Sequence, residues 1–194
     1  MQSVPVVEYS LPGAFFNPHD IILTDDHYIF FQPPLQLDSV PFALGVKGPA
    51  QCVTYDSEQN MIIHMIPRHQ SDEETVVLET DGAFPIHHAL AYREGTSTSI
   101  VTSGWISDKA RMQLKETAHK GILGSWEGLA EGDFSEVPES SIFRYTIDTE
   151  NRIVKKEMLH KAQVDHPHCH PKYSQRSARY IYFCASNPIL QGMK

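Results

Sequence analysis

The sequence predicts an all-β fold with one short inserted helix, and three observations predict it. Short segments rich in β-branched and aromatic residues alternate with turn-forming residues along most of the 194-residue chain. One of them, Phe143-Arg144-Tyr145-Thr146-Ile147-Asp148, alternates cleanly between apolar and polar, as a half-buried strand must. Only residues 107–118 carry helical spacing.

Taken in order, residues 21–32 are aromatic and β-branched but broken at Asp25-Asp26, which predicts two strands around a tight turn. Cys52-Val53-Thr54-Tyr55 and residues 61–66 flank a polar stretch, 56–60, and predict a hairpin. Residues 75–78, 86–92 and 99–102 continue the strand series. In the helical segment Ser107 is placed to cap the first turn and Gly121 to end the helix, while Ile106, Ala110 and Leu114 fall on one face. The turn at Thr149-Glu150-Asn151 joins residues 143–148 to Arg152-Ile153-Val154-Lys155 in the clearest hairpin of the chain. Residues 179–184 form the last strong strand. Strand pairs without long helices fit a sandwich, a barrel or a propeller, and the pattern alone does not choose among them. The chain reads as a single domain, 1–194.

Composition narrows the function classes. A net charge of -8 and the lack of a basic cluster argue against nucleic acid as a partner, because such binding depends on clustered Lys and Arg. The acidic run Ser71-Asp72-Glu73-Glu74 reads as a solvated loop. Three widely spaced cysteines, Cys52, Cys169 and Cys184, do not form a disulfide framework and point to a reducing compartment. No basic segment leads into an apolar core at the start, and no apolar run reaches the ~18 residues needed to span a bilayer.

Eleven histidines are the feature that bears on chemistry. His19 stands at the threshold of a β segment, and His87-His88 lie inside an apolar one, where neighbours face opposite sides and only one of the two can reach a given site. His166, His168, Cys169 and His170 form a third group, with His160 just before it. Imidazole and thiolate on alternate residues suit zinc, although the paired spacings of known zinc modules are missing. The ordinary reading of His27, His64, His69 and His119 is structural.

Several segments resemble, in collinear order, those of the carotenoid cleavage oxygenases. Residues 18–30, with Pro18-His19-Asp20-Ile21-Ile22-Leu23-Thr24 at their start, resemble that family's M-H-D-F-A-I-T-E-x-Y-x-V-F segment. Gln32-Pro33-Pro34-Leu35 matches the x-x-P-L that follows, and Met65-Ile66-Pro67-Arg68 is similar to G-V-L-P-R. Residues 84–94, Phe84-Pro85-Ile86-His87-His88 onward, resemble F-x-F-H-H-x-N-A-Y-E-D/E, and residues 99–105 parallel the strand after it. Residues 142–153 resemble the family's L-x-R-x-x-I-D-x-x-T-G-x-V hairpin, and Arg179-Tyr180-Ile181-Tyr182 its R-Y-x-Y strand. The resemblance covers residues 18–187.

What the resemblance implies is specific. The fold would be part of a seven-bladed β-propeller, about three to four blades, with iron on the axis. Two of the four histidines that hold Fe(2+) fall on His19 and His87, and the segments carrying the other two would lie outside this sequence. The implied partners are dioxygen and a carotenoid or apocarotenoid, cleaved at a double bond to two carbonyl products. A peripheral membrane contact and a cytoplasmic or plastid location would be compatible with it. Phe15, Phe16, Phe30, Phe31, Phe84 and Trp105 are candidates to line a substrate tunnel, with plain core packing the simpler reading.

The sequence also departs from the pattern. Arg93 replaces an acidic residue, Leu90 an asparagine and His64 a small residue. His160-Lys161-Ala162-Gln163-Val164-Asp165 stands where the family has E-F-P-R-I-D, so the glutamate that orients an iron-bound histidine is expected to be lost. The run at 166–170 then reads as a surface insertion. Two imidazoles are expected to hold iron weakly and to support little oxygenase activity. Two alternatives follow from these departures: a non-catalytic isoprenoid-binding propeller remnant, and a zinc-stabilised interaction module.

Overall fold

A computed structural model describes residues 19–68, 74–161 and 163–186. Phe15, Phe16, His69 and residues 71–73 of the acidic run lie outside the described residues. In chain order the strands and helices are β1 (Ile22–Leu23), β2 (His27–Gln32), β3 (Leu35–Leu37), α1 (Ser39–Ala43), α2 (Pro49–Cys52), β4 (Val53–Tyr55), β5 (Met61–Pro67), β6 (Val76–Thr80), β7 (Phe84–Glu94), β8 (Ser97–Trp105), α3 (Asp108–Thr117), α4 (Trp126–Ala130), β9 (Ser141–Asp148), β10 (Ile153–His160), β11 (Val164–His168) and β12 (Tyr182–Ala185). The molecule is mostly β, as expected, but three further short helices join α3.

Two four-stranded antiparallel sheets dominate, ordered β1-β2-β5-β6 and β10-β9-β8-β7. Two-stranded pairs, β11-β12 and β3-β4, cover their ends and faces. Among the described residues no sheet closes on itself. The main core lies between the two large sheets, where Ile29, Phe31, Ile63, Met65 and Leu78 meet Ile100, Phe143, Tyr145 and Ile147. Each such side chain contributes about 1.5–3 kcal/mol by leaving water. The second sheet is buried on its other face too. There Leu90, Val101 and Ile142 pack under Val164 of β11, with Ile181 and Phe183 alongside. This double burial is why β8 is buried along nearly its whole length.

The predicted helix forms as its spacing requires. Ser107 Oγ accepts the Ala110 N–H at 3.1 Å, and Ala110 and Leu114 are fully buried against Leu35, Tyr55 and Trp105. The chain turns at Gly121, whose φ is +108°. Asp81, after β6, ties this region to the sheet edge by accepting from Arg111 at 2.8 Å and Lys156 at 2.5 Å.

Two expectations are corrected. Residues 52–55 and 61–66 do not form a hairpin: β4 pairs with β3, while β5 inserts between β2 and β6. The cause is the loop after β4. Asp56 N–H donates to the Pro34 carbonyl, and its carboxylate accepts from Glu58 N and the amides of Gln36 and Gln59, so the polar stretch folds back on β3. The last strand is also shorter than residues 179–184, beginning only at Tyr182.

Candidate metal centre

The site is built on the edge of the second sheet. β7 pairs with β8 on one side only, and register shifts fall between Pro85 and His87 and between His88 and Leu90. An edge strand leaves main-chain groups without a ladder partner, and His19-Asp20 takes up two of them. His19 Nδ1 lies 3.1 Å from the Ile86 carbonyl oxygen, and Asp20 Oδ2 accepts the His88 N–H at 3.1 Å. The segment leading into β1 is thereby stapled across β7, and the His19 ring is set 5.0 Å from that of His87, edge to face at 82°. Phe84 meets the other side of His19 at 6.3 Å and stacks edge-on against Trp105.

Gly104 lets the strands approach this closely. It pairs with Pro85 at a φ of +154°, and a Cβ there would collide with the Phe84 carbonyl and stand 2.8 Å from Ile86 N. Only glycine tolerates both the conformation and the contact.

Hydrogen bonding fixes both tautomers. His87 Nδ1 is 2.7 Å from Asp165 Oδ1, an acceptor without a proton to give. The Ile86 carbonyl plays the same part for His19. Each Nδ1 therefore carries the hydrogen and each Nε2 keeps its lone pair, as in metal-binding histidines whose other nitrogen donates to a carboxylate or carbonyl. Two neutral imidazoles in this relation fit a divalent transition metal such as ferrous iron.

Asp165 corrects the expectation that the orienting acid is lost. It also accepts from Ser103 Oγ at 3.1 Å and from the His166 N–H at 2.7 Å. Partial burial pushes its pKa up, but the hydrogen bonds from His87, His166 and Ser103 outweigh burial and hold it below the usual carboxylate value. His160, in the position of the family's glutamate, instead tilts against Phe183 at 5.1 Å. The signal in the sequence was that Asp165 is the only acid between His160 and His170.

His88 shows the opposite environment from its neighbour. Its ring stacks on Phe31 at 5.5 Å, and its Nδ1 lies 2.9 Å from Thr102 Oγ1, whose own hydrogen goes to the His87 carbonyl. Enclosure lowers its pKa to about 4; Asp20 opposes the shift and the neighbouring His87 and His19 add to it. His88 is thus a neutral structural residue, and the alternation of the strand has sent only His87 to the site.

The run at 166–170 is strand in its first part rather than loop. Val164–His168 is β11, paired with β12 and lying over β7 and β8. Nor do its proposed zinc donors converge. His168 stacks on Tyr182 at 5.6 Å, His170 Nδ1 accepts the Lys172 N–H, and Cys169 packs toward the core with Ala178 and Ile181. Among the described residues, the group of three donors within metal reach of one another is His87, Asp165 and His166. All three cysteines are free. Of the candidate tunnel residues, Phe31, Phe84 and Trp105 are buried core. Arg93 is answered locally, with its guanidinium 2.5 Å from Asp26. His64 is buried in β5 with Nε2 2.7 Å from Gln32 Oε1.

Comparison with known proteins bears on the family and the fold. The sequence profile of the retinal pigment epithelial membrane protein family matches residues 2–192. An apocarotenoid-15,15'-oxygenase of Synechocystis sp. is 24% identical over 178 residues, covering 92% of this chain and 33% of its own length. The crystal structure of a cobalt-substituted Synechocystis apocarotenoid oxygenase aligns with a TM-score of 0.69 at 24% identity, over 87% of this chain and 32% of that one. A chimera described as ACO/RPE65 aligns at 0.68 and 23% identity over the same shares. The chain thus spans about a third of the length of these relatives.

Proposed function

From the premise that this chain belongs to the retinal pigment epithelial membrane protein family, we propose that it carries part of the metal centre of a non-haem Fe(II) oxygenase that cleaves a carotenoid or apocarotenoid. His19 and His87 are the metal ligands in this reading, and Asp165 positions His87. The two large sheets are neighbouring blades of a propeller. The observation that carries the reading is the meeting of the His19 and His87 rings at 5.0 Å, each with Nδ1 committed to an acceptor, which leaves Nε2 its lone pair.

Bound ferrous iron supplies the activation of dioxygen, from which two carbonyl products follow. The chain's own contribution is position and tautomer. The Ile86 carbonyl and Asp165 hold the ring hydrogen on each Nδ1 and keep both imidazoles correctly turned, which spares the site that reorganisation when a ligand arrives. Ser103, fully buried, keeps Asp165 from rotating away. Phe84, itself buried, packs against His19 and helps fix the position of its ring. The two departures that favoured a non-catalytic remnant have local answers, Asp26 for Arg93 and Asp165 for His160.

The test is anaerobic loading of the full chain with ferrous iron, followed by an apocarotenal and oxygen. Loss of polyene absorbance should be slow yet abolished in His87→Ala. Turnover that survives His87→Ala and His19→Ala alike contradicts the reading.

A further inference from the structure

We propose that His166 is an additional ligand, supplied by this chain itself, to the divalent metal ion held by His87. The inference deepens the reading above and rests on it for the role of His87. In a regular strand His166 would face away from Asp165 and lie beneath β11 beside Val164. The observed chain does otherwise. The β11-β12 register shifts between Asp165 and His168, so that His166 and Pro167 stand against a single partner residue. His166 adopts a φ of +51°, a left-handed conformation rare for a residue with a side chain. A bulge of this kind re-aims a side chain, and strained backbone of this kind clusters at functional sites.

The result is that two consecutive residues, Asp165 and His166, address the same histidine. Asp165 Oδ1 accepts the His87 ring N–H and the His166 backbone N–H together. The imidazole of His166 lies 4.6 Å from that of His87, with the planes 28° apart. Donor atoms of His87, Asp165 and His166 all lie within 4.8 Å of one another. Because His166 is exposed, its ring is free to turn out of the stack toward an ion shared with His87. Stacked imidazoles gain little from each other in water, whereas a cation holds both once the rings turn so that their in-plane lone pairs converge on it. Imidazoles beside a carboxylate suit iron, cobalt or zinc.

The experiment is titration of the full chain with Co(II) alone, followed by chelator competition for the dissociation constant and X-ray absorption for the imidazole count. His166→Gly is the main variant, since glycine accepts the positive φ and the apo protein should melt no lower than the parent. The expected result is at least ~10-fold weaker binding, the lower end of what losing even an outer-sphere partner costs, and one imidazole fewer around the ion. His166→Cys, with a thiolate donor, should recover part of the affinity. Unchanged affinity and imidazole count in His166→Gly, with binding lost in His87→Ala, overturns the inference and leaves the role of His87 standing. Undiminished binding in His87→Ala, or no binding to the parent chain, overturns both. Binding that needs His166 and His87 but not His19 upholds this inference and removes His19 from the reading above.

Discussion

The two edges of the second sheet differ in kind. β10, at one edge, is regular over most of its length and mostly exposed, with the charged run Lys155-Lys156-Glu157 at its centre. β7, at the other, has two register shifts, a proline opposite a glycine and three histidines crowded onto it from β7 itself and from the segment before β1. Charged residues protect an exposed edge from unwanted pairing, and the Lys155-Lys156-Glu157 run does so for β10. The β7 edge is instead satisfied by side chains, His19 and Asp20, and that is how a chemical site comes to lie on it. An edge strand becomes a site when its free main-chain groups are used to hold ligands.

Substitutions sharpen the contrast. The largest effect is expected at Gly104, where alanine meets both the wrong φ and the Phe84 carbonyl. Gly104→Ala should cost about 3 kcal/mol, read as a lower urea midpoint, and should abolish Co(II) binding at the same time. Next is Asp165→Ala, which removes the acceptor of His87, Ser103 and His166. Metal affinity should fall ~10–100-fold, and unfolding free energy by about 1–3 kcal/mol, measured by competition titration and denaturant melts.

Acid separates the two histidines of β7. His88 has its pKa lowered in the folded state, so the unfolded chain takes up a proton that the folded chain refuses. Stability should therefore decline as pH falls from about 6.5 toward about 4, by an amount on the order of 2 kcal/mol. His88→Leu should remove that decline. Asp165, also lowered, contributes stability that is present above the unfolded carboxylate pKa and is lost only as pH falls below it. The acid profile should thus show two separate losses. The smallest effect belongs to β10, where Lys155→Thr should leave stability within ~0.5 kcal/mol and metal binding unchanged. A β10 change that weakens metal binding would break the comparison.

Much of this was legible from the residues. Strand positions, the helix with its Ser107 cap, the 143–155 hairpin and the separate fates of His87 and His88 follow from period, turn chemistry and alternation. The pairing of β4 with β3 was not, because it depends on where the Asp56 carboxylate finds its donors, a long-range matter that local pattern does not report. Asp165 was missed for a related reason, and His166 was grouped with His168, Cys169 and His170 rather than with His87. Matching His160 to a glutamate position looked for identity at one place in the chain, whereas the His87 ring nitrogen needs only an acceptor at 2.7 Å, from whichever residue the strand presents. His166 needed the bulge in β11 as well, and no turn signal in His166-Pro167-His168 announces it.

If His19 and His87 share one ion, a double-mutant cycle on Co(II) affinity will show it. His19→Ala and His87→Ala should each weaken binding strongly, and the double variant should lose far less than the sum, as coupled partners do. Losses that simply add, or a His19→Ala variant that binds as the parent does, would contradict a shared ion.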